Sequence, residues 1–72
     1  MKVNPNLIWD YSFSSQEMEA ESFKRWYVAR VLMRGGKEDI RAVGLETIRR
    51  LLPDISIPQR IREFWNWYFQ KS

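Results

Sequence analysis

The chain has 72 residues, with neither cysteine nor histidine. It allows one small domain without disulfide staples, thiolate metal sites or imidazole chemistry. Its net charge of +3 divides into −3 over residues 1–22 and +6 over residues 23–72, a split that suits a partner with an acidic surface.

The opening Met1-Lys2-Val3-Asn4-Pro5-Asn6 is polar and interrupted by proline, so no secretory signal is expected. No run approaches the roughly 20 apolar residues that span a bilayer, and no membrane role is expected. The absence of cysteine fits a reducing interior, and the expected location is cytoplasmic. Leu7, Trp9, Tyr11 and Phe13 alternate with Asp10 and Ser12, the period-two signature of an extended segment with one apolar face. No comparable strand follows, so this arm is expected either to lie across helices or to pair with another chain.

Ser14-Ser15-Gln16-Glu17 reads as a capping box, and Glu17, Glu19 and Glu21 favour a positive helix start. Ala20, Phe23, Trp26, Tyr27 and Val31 recur at helical spacing, widened by Val28 and Leu32, until Gly35-Gly36, which supplies a residue that tolerates a left-handed stop. With Arg30 and Arg34 near its negative end, a helix is predicted at about 15–34. Two short helices follow. Lys37–Val43 stops at Gly44, and Glu46–Leu52 stops at Pro53, with Leu45, Ile48, Leu51 and Leu52 on one side and Arg49 and Arg50 on the other. The last helix is predicted to start around Ser56, where Ser-Ile-Pro-Gln offers a cap and an early proline. Ile57, Ile61, Phe64, Trp65 and Tyr68 form its expected core stripe, and Trp67 and Phe69 lie off it. The expected fold is all-α: one domain over residues 1–72, with an extended aromatic arm at 1–13 and a bundle of about four helices at 14–72.

Glu17 and Glu21 share a helix face in this reading, the spacing of a metal clamp. Dipole complementarity explains them without a metal, and no His or Cys completes a ligand set. Nor is there a nucleophile–imidazole pair or a glycine-rich phosphate loop. An enzyme, a metal and a cofactor are therefore not expected. Residues 37–52 have the outline of a helix-turn-helix, in which Arg41, Arg49 and Arg50 could touch phosphates or a guanine edge. Pro53 shortens the would-be reader helix to about two turns, and the basic residues are scattered over every helix. Aromatic residues make up 15% of the chain, four of them tryptophan, which exceeds what so small a core needs. Recognition of a protein through Leu7, Trp9, Tyr11, Phe13, Trp67 and Phe69 accounts for that surplus most simply, with self-association left open.

The ordered series Leu7-Ile-Trp-Asp-Tyr-Ser-Phe13, Phe23-Lys-Arg-Trp-Tyr-Val-Ala-Arg-Val-Leu-Met-Arg-Gly35, Glu38-Asp-Ile-Arg41 with Gly44, and Ile61-Arg-Glu-Phe-Trp-Asn-Trp-Tyr-Phe69 resembles a family of small bacterial and archaeal proteins known as a domain of unknown function. Members of that family are often encoded beside a nucleotidyltransferase-type toxin, so the resemblance implies an antitoxin or accessory role. The chain departs from the family pattern with Ser12 where Asp is common, Ala29 where Glu is common and Val43 where Tyr precedes the glycine.

Overall fold

The computed structural model describes residues 3–71. Five α-helices run in order through them: α1 (Ser15–Glu19), α2 (Glu21–Arg34), α3 (Lys37–Val43), α4 (Leu45–Leu51) and α5 (Gln59–Lys71). Short 3-10 turns occupy Pro5–Leu7 and Leu52–Asp54, and the described residues contain no strand. The all-α architecture expected from the periodicity is the one the chain adopts.

The central element is α2. Its Phe23, Tyr27, Val28, Ala29 and Val31 are buried, and Val43, Ile48, Leu51, Leu52, Ile55 and Trp65 close around them. The body measures 37 × 21 × 20 Å. Its two short dimensions equal about two helix diameters, so a peripheral helix buries one side and shows the other to solvent. Aromatic residues spread around such a helix cannot all be covered.

Three elements begin, end or bend differently from the sequence pattern. The helix anticipated over 15–34 is two helices, because Ala20 has an extended ψ of 145°. The capping box closes α1, with Glu17 N–H donating to Ser14 Oγ and Ser14 N–H to Glu17 Oε1. The break at Ala20 then places Glu21 in a second first turn, where its charge again meets a positive helix end. Glu17 and Glu21 thus each serve their own helix start, while Glu19 ends α1.

The arm is the second. Asn4 caps a turn over Pro5–Leu7 by accepting the Asn6 N–H, and Tyr11 N–H donates to Ile8 O in a further turn. These turns bond the Leu7, Ile8 and Tyr11 amides locally and bend the chain, so Leu7–Phe13 does not run as a strand. Leu7, Ile8 and Phe13 pack against the core, and Trp9 points away from it. The Asn4-Pro5 turn overrode the alternation of apolar residues.

The third is the start of the last helix. It begins at Gln59, three residues after Ser56, and the Pro58 carbonyl accepts the Ile61 and Arg62 amides. Between the two short helices, Gly44 takes φ +91°, a left-handed conformation that turns the end of α3 directly into α4.

Two side chains fasten distant segments. Asn4 N–H donates to the buried Tyr27 hydroxyl at 2.7 Å, and Asn4 Nδ2 donates to Asp39 Oδ1 at 2.9 Å. The other oxygen of Asp39 accepts the Gly36 N–H and so caps α3. The N-terminal segment, α2 and α3 are joined through these bonds. Arg62 fastens α5, its guanidinium donating to the carbonyls of Leu52 and Ile55.

Candidate interaction surface

The rings of α5 divide by face. Trp65 is buried, with Ile61 and Phe69 partly buried beside it, so the inward seam follows positions 61, 65 and 69. This corrects the sequence expectation, which placed Phe64 and Tyr68 inside and Phe69 off the core stripe. The anchorage of Arg62 on Leu52 and Ile55 rotates the seam toward position 62 and turns Phe64 and Tyr68 outward. Phe64 is 52% exposed, Trp67 54% and Tyr68 36%. With Lys71 they stand at i, i+3, i+4 and i+7, a single helix face. The Lys71 ammonium lies 4.9 Å from the Trp67 ring centre, covering part of it while keeping its charge in water.

Beside this face α5 and α3 form a groove of about 290 Å³. Ile40, Leu45, Phe64 and Tyr68 give it apolar walls, and Lys37 and Arg41 bring positive charge to its α3 side. Leu45 is itself exposed.

A second ring cluster surrounds the arm. Trp9 is 80% exposed and Tyr11 half exposed. Tyr11 meets Trp26 edge-on at 5.0 Å, and Phe13 meets Phe23 edge-on at 4.9 Å. The Arg30 guanidinium lies over both Tyr11 and Trp26 and pairs with Asp10 at 2.9 Å. Tyr11, Phe13, Phe23 and Trp26 line a groove of about 370 Å³ whose charged lining residue is Glu17.

The six residues anticipated as protein contacts therefore fall into two groups. Trp9, Tyr11 and Trp67 are exposed; Leu7, Phe13 and Phe69 pack against the core and position their neighbours. Phe64, Tyr68, Leu45 and Lys37 were missed. The available signal was the i, i+3, i+4, i+7 spacing of 64, 67, 68 and 71, obscured because α5 carries apolar residues around much of its circumference.

No family model, curated protein or solved structure matches the chain.

The three arginines of the DNA-binding alternative are exposed but differently engaged. Arg41 lines the α3–α5 groove; Arg49 lies over Phe69 at 6.0 Å and lines another groove with Leu52 and Arg62; Arg50 faces Glu21 at 3.8 Å. The carboxylates imagined as a clamp are also separated in role. Glu17 closes the cap of α1, whose hydrogen bonds with Ser14 hold its carboxyl below the usual range, while Glu21 faces Lys24 and Arg50. The amide of Gly36 and then Asn4 lower the Asp39 pKa in the same way, and burial pushes the Tyr27 phenol up. Among the described residues no group of three or more acidic, His or Cys side chains is placed to hold a metal, and no helix is long and apolar enough to cross a membrane.

Proposed function

We propose that this protein is a non-enzymatic protein-binding module of the cytoplasm, with the outward rings of α5 as its principal contact. The observation that carries this reading is the exposure of Phe64, Trp67 and Tyr68 on one face of a 13-residue helix. Contiguous exposed apolar surface on a small domain marks interaction sites, and Trp and Tyr are the residue types that most often anchor them. Trp9 and Tyr11 form a second exposed patch. The excess of positive charge over residues 23–72 would steer an acidic partner toward the helical body.

The resemblance noted above supplies a class of partner, a nucleotidyltransferase-type toxin, for which this chain would act as antitoxin or accessory subunit. The DNA-binding alternative lacks a comparable observation. Its seven-residue reader helix is only about 10 Å long, and Arg49 and Arg50 already have neighbours within the chain.

The test is a photo-reactive benzoylphenylalanine placed at position 67 in cells of the source organism, with position 66 on the polar side of α5 as control. The reading expects one discrete protein adduct from position 67 and none from 66. No protein adduct, or equal labelling from both positions, would refute it; a nucleic-acid adduct would favour the alternative.

A further inference from the structure

We propose that the α3–α5 groove receives an amphipathic helix with acidic flanks, a proposal that rests on the protein-binding reading and names the chemistry of its partner. The outward face of α5 runs Arg60, Phe64, Trp67, Tyr68, Lys71, with a cation at each end and rings between. Across the groove, the exposed Lys37 and Arg41 stand on α3 beside Ile40 and Leu45. Four positive charges thus border one apolar surface, and no carboxylate lines the groove between them. Glu63 borders that face one turn from both Arg60 and Trp67, outside the groove lining, and its carboxylate accepts from Gln59 Nε2.

The groove selects a helical occupant for geometric reasons. At about 290 Å³ it is at the small end of ligand-sized pockets, suited to a few apolar side chains rather than a whole cofactor. A partner helix presents such side chains at i, i+3, i+4 and i+7, matching the spacing of the rings it would meet. Flanking glutamates on that helix would reach Lys37 and Arg41 on one side and Arg60 and Lys71 on the other. The contrast with the groove beside the arm is informative: its charged lining residue is Glu17, so the two surfaces prefer opposite partners.

An anionic bilayer or a single-stranded nucleic acid would also be drawn to rings and cations. A bilayer, however, needs a protruding face that can sink into it, whereas Phe64 and Tyr68 form the wall of a recess shared with α3. Base stacking needs accessible ring faces, and Lys71 covers part of the Trp67 ring while Phe64 and Tyr68 stand in the groove wall.

The experiment measures fluorescence anisotropy of a labelled 16-residue peptide with Leu at i, i+3, i+4 and i+7 and Glu at its flanks, against the same peptide with Lys flanks. The acidic peptide is expected to bind at least tenfold tighter than the basic one. Lys37→Glu/Arg41→Glu, two exposed changes in the first and last turns of α3, should weaken the acidic peptide at least tenfold and restore binding of the basic one. Phe64→Ala/Tyr68→Ala should weaken both, with far-ultraviolet circular dichroism showing the fold retained. Equal binding of the two peptides, or a charge swap that fails to reverse their order, overturns the proposal. So does tighter binding to phosphatidylserine vesicles or to oligothymidylate than to the acidic peptide. If neither peptide binds while position 67 still forms a protein adduct, the groove assignment fails and the binding-module reading stands; if both fail, both fall.

Discussion

Replacing Tyr27 with Phe tests how the N-terminal segment is held. Tyr27 is fully buried and stacks on Phe23 at 5.8 Å, and its hydroxyl accepts the Asn4 amide at 2.7 Å. Phe keeps the ring and its packing but removes that acceptor, leaving the amide without its partner. A lost hydrogen bond of this kind, with the donor left behind, costs about 1.5 kcal/mol. For a domain of this size each kcal/mol lowers Tm by roughly 4–8 °C, so a drop of about 6–12 °C is expected. Thermal melts followed at 222 nm measure it, and hydrogen exchange locates it. The amides of Asn4, Leu7 and Ile8 should lose protection, the last two because their turn is fastened through Asn4. A Tm within about 2 °C of the parent, or unchanged exchange at these amides, would refute the clamp.

Other outcomes follow from the same contacts. Arg62→Lys cannot donate to the Leu52 and Ile55 carbonyls in a planar fork, so it should lower stability by about 1–2 kcal/mol in urea titrations. The carboxyls of Asp39 and Glu17 titrate below their ordinary values in the folded chain. Their stabilisation is therefore complete above the unfolded-state range near pH 4 and is lost as pH falls through the lowered folded values. Melting temperature should decline across that acidic window, and Asp39→Asn should flatten part of the decline.

The sequence displays most of the fold in its local signals. The capping box at Ser14, the turn at Gly44 and the end of α4 ahead of Pro53 each act through a neighbour or two, and each stands where the pattern puts it; α2 also stops at Gly35, but with an extended φ of −79° in place of the left-handed stop. What misled was longer in range. Alternation at Leu7–Phe13 gave way to an Asn-Pro turn whose stability depends on Tyr27 and Asp39, residues 23 and 35 positions away. The orientation of α5 was hidden because rings at 64, 65, 67, 68 and 69 make several faces equally apolar. Arg62, which reads as a solvated charge, chooses among those faces by reaching two carbonyls earlier in the chain. Trp9, Tyr11 and Trp67 were legible as surplus ring surface; Phe64 and Tyr68 became visible only once that rotation was known.

The division of α5 into a structural seam and an outward contact face meets its most direct test in the double variant Phe64→Gln/Trp67→Gln. Both positions are more than half exposed, and surface changes of this kind typically alter stability by no more than about 0.5 kcal/mol each. The expected result is a melting temperature within about 8 °C of the parent, together with at least a tenfold loss of the partner that cross-links at neighbouring exposed positions of α5. Undiminished partner capture by the folded variant would contradict it, as would unfolding on the scale expected for truncating the buried Trp65, about 3–5 kcal/mol.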